Sequence, residues 1–167
     1  MKALILTGKY AQDIEVWYPY HRLKEEGWEV DISMPDHEAV GVYGMKMVRD
    51  VAPESIPHSI YDLLILPGGA RAMEYLRQDE AVVKTVAWFK SHGKVIGSIC
   101  HGAQLLIEAD CVGSWKVSGY YSIKKDIENA GGIFVDAPFV TDEKIVSSPH
   151  YKYLGPWMKE VIRVALS

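Results

Sequence analysis

Three short, uninterrupted apolar runs constrain this chain more than any other feature: "KALILT" near the start, "YDLLILP" around residue 64 and "KVIGSI" at 94–99. Their core residues lack the polar alternation of a half-exposed strand, so each reads as a strand buried on both faces. Turn residues follow each run, and a helical pattern follows the turn. Strands alternating with helices imply an α/β fold, with a mainly parallel sheet and helices on both faces.

The remaining elements fit that plan. The first helical stretch runs to about Glu26, and Gly27 is placed to stop it. Pro19 lies inside this stretch. Either the helix starts near Pro19, where a missing N–H does no harm, or an earlier start is kinked there. "WEVDIS" reads as a second strand, and the weak alternation of 39–51 around Gly41 and Gly44 as a short hairpin. A helical pattern covers Ala72 to His92, with a break near Gln78–Asp79 and an end at Gly93. Helices follow at Gly102–Ala109, at "DIENAGG" and from Tyr153 to Leu166, with short strands at "GIFVD", "FVTD" and "KIVSS". Ligands of such sheets bind beyond the carboxyl ends of the strands. The stretches Thr7–Glu15, Pro67–Glu74 and Ser98–His101 all lie at such ends and are expected to converge.

Length and charge narrow the function. The 167 residues suit a single domain spanning 1–167, and an apolar content of 49% argues against disorder. A net charge of −4 with scattered basic residues gives no reason to expect nucleic acid. No apolar run approaches the ~20 residues of a membrane span, and the first residues hold no signal-peptide core. A soluble, cytoplasmic protein is the expectation. No HExxH, CxxC pair or EF-hand loop points to a metal. "DHE" at 36–38 reads as a solvated turn. Two cysteines, Cys100 and Cys111, do not form a disulfide framework. A helix between them would hold them roughly 14 Å apart, too far to pair.

Cys100 stands where the apolar run of "VIGSICHGAQLL" gives way to a helix. A strand that turns sharply into a helix presents the turn residue in a strained, exposed position, as a nucleophile elbow does. Unpaired N–H groups at the helix start favour an anion there and would lower the thiol pKa. The other reading makes Cys100 inert filler at the end of a buried strand. His101 fits a general base for the thiol, and equally a half-buried residue capping the turn. On the elbow reading the N–H of His101 is an oxyanion donor, and Gly69 of the neighbouring "PGG" turn supplies a second. Cys111 lies in no electropositive setting and reads as inert.

The stretches "DIEVWYPYHRLKEEGWEV", "LLILPGG" with "EYLR", "GKVIGSICHGAQLLIEA" and "IKKDIENAGGIFVD" together resemble the PfpI family of intracellular cysteine peptidases. Its superfamily includes ThiJ and the Parkinsonism-associated deglycase. The resemblance spans almost the whole chain. It implies a flavodoxin-like three-layer sandwich of the class I glutamine amidotransferase type. It also implies Cys100 as nucleophile and His101 as its partner, with Glu15 close to the sulfur and Glu74 donated by a neighbouring subunit to orient His101. Glu15 makes chemical sense there, because a protonated carboxyl in a tight site can donate to a thiolate. Taken alone, Glu15 and Glu74 would read as solvated helix residues. Tyr120 matches a pocket-lining tyrosine of the family, and reads equally as a packing aromatic.

Two departures stand out. The chain has "GGARAME" where the family commonly has Gly-Gly-Arg-Ala-Pro-Glu, so Ala70 is an extra residue and Met73 replaces the proline. This bears on the reach of Glu74 and on Gly69. At 147–151 the chain has "SSPHY", which makes His150 a candidate substrate group or a surface histidine before the last helix. The implied function is a cofactor-free cysteine enzyme acting on a peptide or other small-molecule substrate. It would either hydrolyse amide bonds or convert aldehydes such as methylglyoxal, or their adducts, to hydroxy acids. A homodimer or higher even-numbered assembly is implied with it. The rival is a non-enzymatic redox sensor or stress chaperone with an oxidisable Cys100.

Overall fold

The computed structural model describes residues 1–167. In chain order it contains β1 (Lys2–Leu6), α1 (Asp13–Glu25), β2 (Glu29–Ser33), β3 (Glu38–Val40), β4 (Lys46–Val48), β5 (Leu63–Leu66), α2 (Ala70–Leu76) and α3 (Glu80–Ser91). There follow β6 (Val95–Ile99), α4 (Ala103–Glu108), β7 (Lys116–Val117), α5 (Lys124–Asn129), β8 (Ile133–Phe134), β9 (Val140–Asp142), β10 (Ile145–Ser148) and α6 (Leu154–Ala165). Six strands form one sheet in the order β2-β1-β5-β6-β10-β9. All neighbours are parallel except β9, which runs antiparallel to β10 at the edge. The α/β expectation holds, and so does the full burial of the central runs: every residue of β5 and β6 is buried.

Helices α1 and α6 pack together against one face of the sheet, while α3 lies against β6 and α4, with α2 and α5 beside α4. A core of 45 buried apolar residues fills the space between the layers. Trp157 of α6 is fully buried there, and its indole N–H donates to the Val146 carbonyl at 3.0 Å, so its one polar atom is satisfied.

Local chemistry explains the element boundaries. The break foreseen near Gln78–Asp79 is an N-cap: Asp79 accepts from the N–H groups of Ala81 and Val82 at 2.9 and 3.1 Å, starting α3 afresh. Helix α1 runs through Pro19 rather than starting at it. The chain therefore gives up one intrahelical hydrogen bond, the one Pro19 would donate to Glu15. The 39–51 hairpin forms as β3 and β4. β8 forms within the strand read at "GIFVD", whereas its parallel partner β7 goes unread, because two residues leave no periodicity.

Sheet topology fixes where a site can lie. The chain steps outward from β1 to β2, then crosses back to place β5 on the other side of β1. That reversal is a topological switch point, and it opens a crevice at the carboxyl ends of β1 and β5. Register keeps the neighbouring ends level: Leu66 pairs with Ser98, and Ser148 with Ile99. The loops after β1, β5, β6 and β10 therefore leave the sheet side by side.

Candidate active site

Strand β6 ends at Ile99, and Cys100 turns the chain with φ 58°. A left-handed conformation is uncommon for a non-glycine residue and costs on the order of 1–3 kcal/mol. Cys100–Gly102 forms a single 3₁₀ turn that leads into α4. Gly102 is required by space, since a side chain there would run into the carbonyl oxygen of Leu66. The elbow read from the sequence is therefore present in the backbone.

His101 is held on three sides. Its Nδ1 lies 3.4 Å from the Cys100 sulfur, and its Nε2 lies 3.4 Å from the Ser122 hydroxyl. Its ring stacks on Tyr120, with centroids 4.8 Å apart and planes 26° apart. The N–H of Tyr120 donates to the Cys100 carbonyl at 3.0 Å, which ties the 120–122 segment to the elbow. Burial lowers the His101 pKa from its ordinary value, so the imidazole is neutral at pH 7.

Glu15 reaches the sulfur from α1 and is fully buried. Its Oε2 accepts the Gly68 N–H at 2.7 Å, while Oε1 has no hydrogen-bond partner. Burial pushes its pKa up to about 8, against smaller opposing effects from the Gly68 N–H and Cys100. The carboxyl therefore keeps its proton at neutral pH. Gly68 is what permits the approach: a Cβ there would lie 2.7 Å from Glu15 Oε2 and 2.8 Å from both the Cys100 Cβ and the His101 nitrogen.

The expected lowering of the Cys100 pKa by the helix start is not what the surroundings produce. The residue is only 8% exposed. Burial first, and then the charge on an ionised Glu15, push the thiol up, while the N–H groups of His101 and Gly69 act in the other direction. A turn of three residues and a helix of six give a weak dipole, and desolvation outweighs it. Cys100 and Glu15 are thus a coupled pair in which a charge on one opposes a charge on the other, and at neutral pH both hold their protons. Cys111 is also free and buried, and is pushed up to about 11 mainly by burial. Its setting is not wholly neutral, because Lys90 pulls in the opposite direction.

These groups line one cleft of about 480 Å³, together with Gln12, Gly69, Ala70, Tyr120, Ser122, His150 and Tyr151. The three strand-end stretches do converge. Glu74 does not join them: it lies exposed on α2, outside the cleft of its own chain. The extra Ala70 is the first residue of α2, and Gly69 caps that helix with φ 110°. His150 lines the cleft and its Nδ1 accepts the Lys152 N–H at 3.1 Å. Burial and the Lys152 charge lower its pKa, which leaves it neutral with its hydrogen on Nε2. Gln12, Ser122 and Tyr151 went unread in the sequence. Gln12 and Tyr151 flank residues already singled out, whereas nothing in the pattern marked Ser122. A wider groove of about 620 Å³ near Arg77, Gln104 and Asp126 contains no nucleophile.

Known proteins resemble this chain in sequence and in fold. The family model described as the DJ-1/PfpI family matches residues 1–164. The chain belongs to the DJ-1/PfpI family. Within it, the chain is 41% identical to a deglycase of Pyrococcus horikoshii, over 98% of this chain and 99% of the other. It is 38% identical to the deglycase PfpI of Pyrococcus furiosus, with the same coverage. Among solved structures, a two-domain protein of Anabaena variabilis has a DJ-1/ThiJ/PfpI-like and a ferritin-like domain. It superposes with a TM-score of 0.93 at 28% identity, covering 97% of this chain and 47% of that one. The DJ-1 of Schizosaccharomyces pombe superposes with a TM-score of 0.88 at 21% identity, covering 98% and 90% of the two chains, and so shares the fold.

Proposed function

We propose that this DJ-1/PfpI chain is a cofactor-free, cysteine-dependent enzyme of glyoxalase/deglycase type, acting on 2-oxoaldehydes such as methylglyoxal and on their adducts. The observation that carries the reading is Cys100 held at φ 58° with its sulfur 3.4 Å from His101 Nδ1 and coupled to the buried Glu15. The relatives' designation as deglycases favours this chemistry over peptide hydrolysis.

The roles follow from the geometry. His101, neutral at pH 7, takes the thiol proton on Nδ1 as the sulfur adds to the aldehyde carbon. The aldehyde oxygen becomes an alkoxide, stabilised by the N–H groups of His101 and Gly69, and is protonated to give a hemithioacetal. A proton then leaves the former aldehyde carbon and is returned to the adjacent ketone carbon. The first carbon is oxidised and the second reduced, so no external redox partner is needed. The product is a thioester of a 2-hydroxy acid, which water hydrolyses to free Cys100. Glu15, protonated at neutral pH, keeps its charge off the sulfur. Tyr120 offers the substrate a ring face, and His150 offers an Nε2–H donor.

Residues 1–167 act as one catalytic domain in the cytoplasm, assembled as a homodimer or higher even-numbered oligomer. Glu74 reaches His101 of a neighbouring subunit in that assembly. Its exposed position on α2 leaves it free for this role, and the exposed Val42, Tyr43 and Met45 supply apolar surface for subunit contact. No helix is long and apolar enough to cross a membrane.

Incubation with methylglyoxal, read as 2-hydroxy acid formed, tests the activity. Turnover by the wild type and none by Cys100→Ser is expected. Release of coumarin from peptide substrates without hydroxy-acid formation would assign the site to amide hydrolysis. Reversible oxidation of Cys100 by low peroxide with no turnover would assign it to redox sensing.

A further inference from the structure

We infer that the cleft selects 2-oxoaldehydes whose ketone carbon carries an uncharged aromatic ring, the aryl glyoxals. The inference rests on the reading of Cys100 as the nucleophile of a glyoxalase-type enzyme, and deepens it by naming the substituent that the enzyme takes.

The chemistry needs only the aldehyde carbon, the ketone carbon and their oxygens beside Cys100. The cleft encloses about 480 Å³, a volume in the range of pockets that hold much larger ligands. What fills the rest is set by the wall that continues from His101. His101 stacks on Tyr120. The rings of Tyr120 and Tyr121 are both inclined by 28° to that of His150, with centroids 6.1 and 6.5 Å from it. Tyr151 extends the series, its centroid 4.1 Å from that of His150. Four rings thus follow the histidine that serves Cys100. Tyr121 and Tyr151 stay 40% and 42% exposed, so neither is there to fill a core. Contiguous aromatic surface left open beside a nucleophile is a place for a ligand.

Charge narrows the class. At neutral pH Glu15 and Cys100 hold their protons, and His101 and His150 are uncharged. No side chain lining the cleft therefore pairs with an ammonium, a guanidinium or a phosphate. The exposed Lys152 keeps its ammonium over the Tyr153 and Tyr121 rings, 4.9 and 5.9 Å from their centroids, where water screens it. An uncharged π face is what remains. Such a face meets tyrosine and imidazole rings in offset or edge-to-face geometry, each pair adding about two- to tenfold in affinity beyond simple burial. An aryl ketone is also flat where it joins the aldehyde, so ring and reacting carbons reach Cys100 in one plane. The internal hydrogen shift proposed above converts phenylglyoxal and water to mandelate, with no outside oxidant or reductant.

The test compares methylglyoxal, cyclohexylglyoxal and phenylglyoxal as substrates of the full chain at pH 7, each read as its 2-hydroxy acid. Each kcat/KM is divided by the rate at which the same aldehyde adds to a free thiol, which removes intrinsic reactivity. Phenylglyoxal is expected to exceed methylglyoxal by about tenfold or more. It should also exceed cyclohexylglyoxal, whose ring has similar size but no flat face. Tyr121→Ala and Tyr151→Ala should each lower the phenyl-to-methyl ratio by about two- to tenfold. Tyr121→Phe and Tyr151→Phe, which keep the rings, should hold it. A wild-type ratio at or below one would overturn the inference. So would equal rates for the cyclohexyl and phenyl compounds, which would mean that the cleft reads bulk, or a ratio unchanged in both alanine variants. Faster turnover of 4-carboxyphenylglyoxal than of phenylglyoxal would overturn the uncharged class in favour of an anion. Methylglyoxal turnover that needs Cys100 but shows no aryl preference rejects the inference and leaves the enzyme standing. No hydroxy acid from any of the three aldehydes rejects both.

Discussion

At Cys100, strain and chemistry compete for one residue. Replacing Cys100 by Ser leaves the backbone demand almost unchanged, so the variant should melt close to the wild type while losing turnover. Cys100→Gly removes the Cβ that makes φ 58° costly, and should melt no lower than the wild type in calorimetry. A marked drop would mean that the sulfur matters mainly as packing. Glu15 gives a pH signature of the opposite sign to most acidic residues. Its pKa rises from 4.5 to about 8 on folding, so between those values the folded state holds more protons than the unfolded one. Stability from this group is fully present below pH 4.5, falls as the pH rises and is lost above about 8. Glu15→Gln cannot ionise, so it should melt higher than the wild type at pH 8.5, with the gap closing toward pH 4.5. Equal melting temperatures of the two proteins across that range would refute a buried, protonated Glu15. Residues at this scale were legible when a motif carried them. Cys100 and His101 were marked by the strand-to-helix junction, and Glu15 and Tyr120 by resemblance. Ser122 was invisible because its contact with His101 joins segments 21 residues apart. The direction of the Cys100 pKa was misread because sequence shows a helix start but not how little water reaches it.

Among the elements, the β3–β4 hairpin depends on one buried charge. Asp13 opens α1, is 4% exposed, and accepts from the N–H groups of Tyr43 and Met45 at 2.7 and 2.9 Å. Removing it as Asp13→Ala leaves two amides without their charged acceptor, at a cost of roughly 1.5–3 kcal/mol. For a chain of this size the melting temperature should fall by about 3–12 °C. A change under a degree would show that water replaces the carboxylate. The hairpin itself was readable from its two glycines, and the α2–α3 break from Asp79. The role of Asp13 was not, since an acidic residue in a first helical turn already has a local explanation in the helix dipole. Pro19 shows the same limit. Both a start and an interruption satisfy local rules, and burial of the flanking helix against the sheet decides for interruption.

Over the whole molecule, convergence of the strand ends was legible because parallel sheets leave few alternatives. The place of Glu74 was not, because nothing within one chain defines it. Light scattering at micromolar concentration should show an even-numbered assembly, and a fully active monomer would remove Glu74 from the catalytic set. The strand order has one more consequence, for the chain as it is made. β10 fills the slot between β6 and β9, yet it is synthesised after every other strand. Until Ile145 has been added, 45 residues after Cys100 (145 − 100), β6 has a bare edge and the side of the cleft formed by His150 and Tyr151 does not exist. At roughly 5–20 residues per second the ribosome needs about 2–9 s to supply it. Until then the Cys100 thiol lacks the burial of the finished site, which is the main cause of its raised pKa.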